Sequence, residues 1–581
     1  MTNSRIADVF DEIADLLEFQ GSNPFRVRAY RNGARIIRDL PESIKTVLAD
    51  KQRKLTDLEG IGKDLADKIQ TLVETGELSQ HQELLEQVPA TVLDIMRVPG
   101  LGPKKAAVLF KELNIETLEQ LKAACEAEQV RQLKGFGAKT EQKILHGISI
   151  ASAANERIYW AEADTVAGEL RELFAGCSSI EQLELAGSYR RGKETVGDLD
   201  ILVVSQDVEA VMNRFAEYSD LAEVIARGDT KMSIRTHKGL QVDLRVVAAE
   251  SFGAALQYFT GSKDHNVVVR GLAKQRGLKI NEYGVYRVDG DKEIYVAGAT
   301  EEEVYATLDL PCFPPELRES RREFDWASAG ELPELISEAD IRGDLHMHTH
   351  ATDGRASIEE MVAAARSRGL SYIAITDHSQ RVSMARGLDP KRVLGQWAEV
   401  DAMNRRLGDE FTVLKGIECD ILEQGGMDLP DDVLAQADWV LASVHYGQQQ
   451  SREQITQRLL GAIENPNVTA IAHPTGRILN RREAYEVDID AVFSAAAAYG
   501  KVLELNANPA RLDLNDIHCA AAKSHGIPIV INTDAHSIEG LACMRYGVLQ
   551  ARRAGLTRDD VANTRTLAQL RSLIESGRGN S

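Results

Sequence analysis

The segment GSYRRGKETVGDLDILVV places Asp198 and Asp200 two residues apart at the start of an apolar run that predicts a strand. Side chains two apart on a strand leave the same face, so both carboxylates point one way. Asp243 sits in a second apolar run, QVDLRVV, which predicts a neighbouring strand. Three carboxylates on adjacent strands repel one another unless they share divalent cations. Such a cluster suits a pair of Mg²⁺ or Mn²⁺ ions serving in-line phosphoryl transfer. Upstream, Gly187 and Ser188 close a strand and offer N–H and hydroxyl groups to terminal phosphates, with Arg190 or Arg191 to neutralise developing charge. A solvated Asp-x-Asp loop is the alternative, and the apolar context LDILVV disfavours it.

A second group lies beyond residue 340. Seven apolar runs, IRGDLHMHTH, SYIAITDHS, FTVLKGIECD, DWVLASVHYG, VTAIAHPTG, KVLELNAN and PIVINTDAH, each end in polar residues. Among them stand His346, His348, Asp353, His378, Glu418, His445, His473, Asp534 and His536. Nitrogen and carboxylate donors without thiolates suit Mn²⁺, Zn²⁺ or Fe²⁺, and nine donors are too many for one ion. A cluster of up to three ions activates water and stabilises the leaving oxygen of a phosphoester. Arg477 and Asn506 lie beside these runs as candidate phosphate contacts, whereas His350, Cys419 and His518 fit structural roles.

These residues need elements to hold them. Helical stretches such as SIEEMVAAARSRG and AVFSAAAAYG separate the seven runs. Buried strands alternating with helices predict a distorted parallel (β/α)7 barrel with chemistry at the strand C-termini. Between about 155 and 310, LELAGS (183–188), DLDILVVS (198–205), SIRTHKG (233–239) and QVDLRVV (241–247) read as strands in an α+β mixture. The segment 311–340, rich in proline and charge, reads as a linker.

The first third is helical in pattern and repeats one template three times: LEGIGKDLADKI (58–69), VPGLGPKKAAVL (98–109) and LKGFGAKTEQKI (133–144). The pairs Gly60/Gly62, Gly100/Gly102 and Gly135/Gly137 each precede a helix, with Lys63, Lys104, Lys105 or Lys139 close by. A glycine turn before a helix presents free N–H groups and a positive dipole end, which is a cradle for phosphate.

At 581 residues the chain needs several cores, and 43% apolar with 27% charged residues is ordinary for globular protein. No run has the apolar length of a membrane span, and the first 21 residues read as an amphipathic helix, not a signal peptide. Six scattered cysteines without a CxxC pair fit a reduced, cytoplasmic protein. The net charge of −21 repels DNA in bulk, but residues 1–150 are nearly neutral, with 21 Lys+Arg against 23 Asp+Glu. Basic residues such as Arg26, Arg28, Arg31, Arg35 and Arg38 cluster there, so DNA contact is expected to be local and phosphate-directed.

The three aspartates and their flanks closely resemble the family X DNA polymerases, and LQYFTGSKDHNVVVRGLAKQRG and INEYGVYR resemble that family's thumb. The resemblance implies that Gly187, Ser188 and Arg191 hold a triphosphate. It implies that Tyr258, Phe259 and Gly261 pack on the sugar, with Asn266 and Arg270 facing the minor groove. One departure is that Gln241 and Val242 precede Asp243, where animal repair members carry a basic residue. The glycine repeats resemble helix-hairpin-helix motifs, and the N-terminal region resembles a lyase domain. Lys68 falls at its Schiff-base position and Tyr30 at a companion position, though a lysine there also serves as a phosphate contact.

The barrel runs resemble the polymerase and histidinol phosphatase (PHP) domains. The resemblance implies one metal on His346, His348, Glu418 and Asp534, a second on Glu418, His445 and His473, and a third on Asp353, His378 and His536. Asp353 stands where the family often has histidine. The expected plan is a helical lyase-like domain (1–80), helix-hairpin-helix fingers (81–155), a nucleotidyltransferase palm (156–250), a thumb (251–318), a linker (319–339) and the barrel (340–575). Together these imply a bacterial, nucleoid-associated monomer that fills gaps in DNA repair. Its expected partners are gapped or primer-template DNA and dNTPs, with no membrane partner. The barrel is expected to act as a 3′–5′ exonuclease or 3′-end phosphoesterase and to extend to abasic-site cleavage. Two alternatives stand beside this: a nuclease whose palm only grips DNA, and a small-molecule phosphatase using the barrel alone.

Overall fold

The computed structural model describes residues 3–579 except 41–43, 50–52, 59, 89–90, 97, 99–100, 139, 143, 146–156 and 291. Gly100, Lys139 and the expected boundary at 155 lie outside the described residues. The chain divides into two compact units, Met1–Glu156 and Arg157–Ser581. No described helix is long and apolar enough to cross a membrane.

The first unit is helical, with a core that includes Phe10, Ile13, Tyr30, Ile69 and Leu109. Its glycine turns share one geometry. Gly62 (φ −77°, ψ 169°) caps Lys63–Thr75 and Gly102 (φ −77°, ψ 171°) caps Pro103–Leu113. Gly60 and Gly135 both sit at φ +91°, a left-handed conformation that side chains disfavour. Gly60, Gly62, Gly102, Gly135 and Gly137 are all exposed, as is Lys104, so the first-turn N–H groups meet solvent.

In the second unit a five-stranded sheet runs in the order Ile180–Leu185, Asp198–Ser205, Gln241–Val247, Lys231–Thr236 and Leu221–Arg227. The Asp198–Ser205 and Gln241–Val247 strands are parallel, and their register sets Asp200 opposite Asp243. The exposed edge strand Leu221–Arg227 has no place in the sequence reading, because LAEVIAR buries neither face fully and so carries no clean alternation. Helices Phe252–Thr260 and Lys263–Gln275 follow, then a three-stranded antiparallel sheet from Leu278 to Ala297.

Seven parallel strands then follow in chain order: Gly343–Asp344, Tyr372–Ile375, Thr412–Asp420, Trp439–Ser443, Ala470–Ile471, Val502–Asn506 and Ile529–Asn532. Pairing between Met347 and Ala535 brings the first strand back to the last, so the sheet is nearly a closed barrel. Its strands are buried almost throughout, apart from Thr412 and Lys415, as a sheet covered by helices requires.

The expected linker is a folded strap. Phe313 is buried, Glu323–Ala329 is helical, and Ile336 joins the barrel core. Its charges, which composition reads as solvated, find partners: Glu323 meets His265 at 2.9 Å and Arg321 meets Asp516 at 3.0 Å. The strap also helps to join the palm to the barrel. Arg553 of the barrel pairs with Glu319 at 2.9 Å and Asp516 at 2.8 Å, and donates to the Arg191 carbonyl at 2.7 Å. Gln550 donates to the Gly192 carbonyl at 2.8 Å, and a Cβ on Gly192 would lie 2.5 Å from Leu549. Arg477 pairs with Glu194 at 3.0 Å, so it serves this joint and is not a phosphate contact. Removing one partner from a buried ion network leaves the others uncompensated. Arg553→Ala should therefore lower unfolding free energy by about 3–5 kcal/mol, read from urea midpoints, whereas a loss below about 1 kcal/mol would show an unloaded joint.

Two candidate metal centres

In the palm, Asp198 and Asp200 start one strand and Asp243 lies beside Asp200 on the next. Asp243 accepts from Lys231 Nζ at 3.1 Å and from Gln241 Nε2 at 3.1 Å. The cation that the sequence lacks just ahead of Asp243 thus arrives from the antiparallel neighbour strand. Gly187 is at φ +67°, and a Cβ there would sit 2.8 Å from Asp200 Oδ2, so only glycine lets this turn approach the carboxylate. Burial, then the Asp198 and Asp243 charges, push the Asp200 carboxyl up to about 7.

Of the two arginines, Arg190 is committed to Glu301 at 2.8 Å and to Thr260 at 2.9 Å. Arg191 meets Glu319 at 3.0 Å and the Thr260 carbonyl at 2.5 Å, beside Gly261, whose added Cβ would lie 3.2 Å from its guanidinium. The turn with half-buried Ser188 and the Tyr258–Gly261 segment therefore adjoin. The rings of Tyr258 and Phe259 meet edge to face at 5.1 Å, and Arg245 stacks on Phe259 at 4.5 Å. Asn266 is buried, donating to the Tyr258 carbonyl at 2.8 Å and accepting from Gln257 at 2.7 Å. Its amide braces this segment through both of its polar atoms. Arg270 is exposed on the next helix.

In the first unit, Lys68 Nζ lies 2.5 Å from Asp64 and 5.7 Å from the Tyr30 ring. Tyr30, expected to contact DNA, is buried and donates to Gln80 at 2.8 Å, so it supports Lys68 from below.

The barrel's C-terminal mouth gathers all nine expected donors, with Glu418 at the hub. Its two oxygens lie 2.7 Å from His378 Nδ1, 3.0 Å from His473 Nε2, 3.4 Å from His445 Nε2 and 3.5 Å from His346 Nε2. His348 Nε2 lies 3.1 Å from Asp534, while Asp353 faces His378 and His536 at 3.4 Å each. The donors converge as His346/His348/Asp534, His378/Glu418/His445 and His348/Asp353/His378/His536, so His348 and His378 each adjoin two groups. His473 (φ 27°) and Asp534 (φ 53°) hold left-handed backbone, strain of a kind that concentrates at functional sites.

These donors fit metal ions. Buried His346 Nε2, His348 Nδ1, His378 Nδ1 and Glu418 Oε2 have no aligned hydrogen-bond partner, which is what a shared cation would supply. Burial opposes charge on every one of them. Even so, Glu504, Asp534 and Glu418 hold His346 well above its usual value, and His445, His378 and His346 hold Glu418 well below its own. Burial, with His378 and His536 nearby, instead pushes His348 down to about 4.

Four supporting carboxylates escaped the sequence reading. Glu504 accepts from His346 Nδ1 at 2.7 Å and the His473 backbone at 2.7 Å, fixing two ligands at once. Asp420 meets His445 Nδ1 at 3.1 Å, Asp344 holds Thr533, and Asp377 holds Thr349 and Gln396. The only signal was an acidic residue inside an apolar strand, as in KVLELNAN. Asn506 donates to Asp534 and Glu504 and so is not a phosphate contact. A cavity of about 420 Å³ opens over the donors, walled also by Val382, Met384, Ala385, Tyr446 and Arg511.

Comparison with known proteins accords with this arrangement. Family models match as follows: helix-hairpin-helix domain, residues 1–78; SAM-like helix-hairpin-helix tandem, 92–148; DNA polymerase beta palm, 157–253; DNA polymerase beta thumb, 255–319; and PHP domain, 344–508. The "DNA polymerase/3′-5′ exonuclease PolX" of Bacillus subtilis (strain 168) is 40% identical over 99% of this chain and 100% of its own length. The chain belongs to the family X DNA polymerases that carry a PHP domain. The barrel alone is similar to a "Probable phosphatase" of Caldicellulosiruptor saccharolyticus, 31% identical over 33% of this chain and 79% of that protein. It is similar also to "Probable phosphatase Teth514_1060" of Thermoanaerobacter sp. (strain X514), 30% identical over 38% and 89%.

The raised Asp200 carboxyl has a measurable consequence. Between about pH 4 and pH 7 the folded chain holds a proton that the unfolded chain has shed, so metal-free stability falls as pH rises through that window. In EDTA the thermal midpoint of Asp200→Asn should fall less than that of the unaltered protein between pH 5 and pH 8. Mg²⁺ should raise the unaltered midpoint more at pH 8 than at pH 5. Superimposable pH curves in EDTA would refute the assignment.

Proposed function

We propose that this chain is a gap-filling DNA polymerase of DNA repair whose barrel removes or cleans 3′ ends as a 3′–5′ exonuclease and phosphoesterase. The observation that carries the first half is the register of Asp200 against Asp243 beside the glycine turn at 187. Asp198, Asp200 and Asp243 would hold Mg²⁺ or Mn²⁺, which lower the barrier to attack of a primer 3′-OH on a dNTP α-phosphate. The Gly187–Ser188 turn offers N–H and hydroxyl groups to the triphosphate, and Arg191 stands beside it with part of its guanidinium already anchored by Glu319. Lys231 holds the Asp243 carboxylate in place through its 3.1 Å contact. Exposed Arg270 and the Tyr258–Gly261 segment shape the nucleotide's far side.

At the barrel, oxygen and imidazole donors suit Mn²⁺, Zn²⁺ or Fe²⁺, which supply an activated water and stabilise the leaving oxygen of a phosphodiester. Glu504 and Asp420 fix the imidazoles that hold them. Arg511, 3.7 Å from Asp534 on the cavity wall, is placed to grip a phosphate. The glycine turns of the first unit grip DNA backbone, and the expected partners are gapped DNA and dNTPs, bound by a monomer.

Lys68 is the proposed lyase nucleophile. Asp64, at 2.5 Å, is positioned to take the proton that a Schiff-base amine sheds. Borohydride on a 5′-deoxyribose-phosphate substrate should trap an adduct that Lys68→Ala abolishes. An undiminished adduct in that variant, or none in the unaltered protein, would leave Lys68 a phosphate contact.

Primer extension and 3′ hydrolysis measured side by side test the main reading. Asp198→Ala should abolish extension, by three orders of magnitude or more, and spare hydrolysis; His346→Ala should do the reverse. Loss of both activities in either variant would refute two separate centres, and absent extension in the unaltered protein would make the palm a DNA grip alone.

A further inference from the structure

The cavity at the barrel mouth has two unlike sides. Its floor is the donor cluster, with Arg511 nearby. Its wall is apolar, formed by Val382, Met384, Ala385 and Tyr446. A phosphate needs only the floor. Apolar surface left in water at a polar site costs free energy unless something covers it.

Met384 is the extreme case, a large apolar side chain that is 91% exposed. It is not on a slack loop. The short turn Ser383–Ala385 begins five residues beyond His378, and the chain is pinned behind it where Leu388 N donates to the His378 carbonyl at 2.8 Å. Arg386 (φ 59°) ties the turn to the Thr352 and His350 carbonyls. Gly387 packs so closely that an added Cβ would meet the Ser379 carbonyl oxygen at 1.9 Å. The turn that carries the exposed methionine is therefore fixed at the cavity wall.

Tyr446 comes from the end of the strand Trp439–Ser443, two strands along the barrel and directly after His445. The Arg381 guanidinium lies 4.5 Å from the centre of its ring and is itself ion-paired with Glu423. The Arg381 backbone N–H donates to Asp428 at 2.7 Å, which fixes the support. Tyr446 is thus a braced aromatic beside a metal ligand. A cavity of about 420 Å³ falls within the usual range for small-ligand sites of about 300–1,000 Å³. Polar floor, apolar wall and braced aromatic together match a nucleoside attached to a phosphodiester.

We propose that Tyr446 and Met384 form a nucleobase subsite, which takes the base of the 3′-terminal nucleotide while its phosphodiester lies on the donor floor. The subsite rests on the reading of the barrel as a 3′ exonuclease. Base–aromatic stacking is worth about 1–3 kcal/mol per base and tolerates any base. The subsite therefore supplies affinity for a nucleoside without sequence preference.

The test uses the full chain and two single-stranded oligonucleotides, one ending in deoxyadenosine and one in an abasic tetrahydrofuran residue. The Tyr446→Ala, Met384→Ala double variant should raise KM for the deoxyadenosine end by about tenfold with kcat unchanged. It should leave the abasic end untouched, which also shows that it is folded. Tyr446→Trp should keep the low KM. In the unaltered protein dAMP should inhibit more strongly than deoxyribose 5-phosphate, and the double variant should lose that difference. Equal losses on both ends, or no change on either, overturn the subsite alone. No 3′ hydrolysis by the unaltered protein in any of Mn²⁺, Zn²⁺ or Fe²⁺ overturns the exonuclease reading and the subsite with it.

Discussion

Carboxylates brought closer together than their own charge permits are the constraint around which this molecule is organised. In the palm, Asp198, Asp200 and Asp243 share one corner of a sheet with Lys231 as the nearby amine. In the barrel, Glu418 and Asp534 are buried among imidazoles that supply the compensating charge. The two solutions differ in kind. The palm offers a triad of carboxylate oxygens, whereas the barrel offers mostly imidazole nitrogens.

The scaffold's task is to keep those charges in register. A one-residue slip between Asp198–Ser205 and Gln241–Val247 would turn every side chain of one strand to the opposite face and dissolve the triad. The buried parallel strands do the same for the barrel, since six of the seven carry donors at or just past a C-terminal end whose apolar body cannot shift without exposing itself. The joint between palm and barrel follows a different logic. It is made largely of ion pairs and carbonyl acceptors, through Arg553, Gln550 and Arg477, which demand one geometry where an apolar contact would accept several. That geometry fixes the residues just after the Gly187 turn, so this corner of the palm is braced from the barrel side.

What the sequence made legible was whatever repeats or alternates locally. The Asp198/Asp200 pair, the donor-bearing strand ends and the glycine turns each carry their signal within a dozen residues. What it hid was partnership across distance. Lys231 reaches Asp243 only because two strands pair antiparallel, and nothing near Asp243 announces it. Glu504 looked like an ordinary strand residue until its neighbours proved to be His346 and His473. Arg477 seemed to face a phosphate because it follows a ligand run, yet its partner Glu194 lies 283 residues away. The strap at 311–340 failed for a related reason: composition records charge but not whether a charge will find its mate. Even the grouping of ligands was only partly readable, since His348 and His378 each adjoin donors of two sets.

The two centres also impose opposite demands on a primer terminus. The palm works on a terminal base that is paired, because the template chooses the incoming nucleotide. A subsite of Tyr446 and Met384 would need that base out of the duplex, since a base taken up by those side chains leaves the stack on the preceding pair and the hydrogen bonds of its own. Unpairing costs a few kcal/mol for a matched end and least for a mismatched or damaged one. Stacking in the barrel mouth returns only about 1–3 kcal/mol of this. The balance therefore falls against matched ends and toward frayed ones, with no contact that reads sequence. Discrimination between extension and removal would then arise from base-pair stability itself, and the protein need only provide the apolar wall.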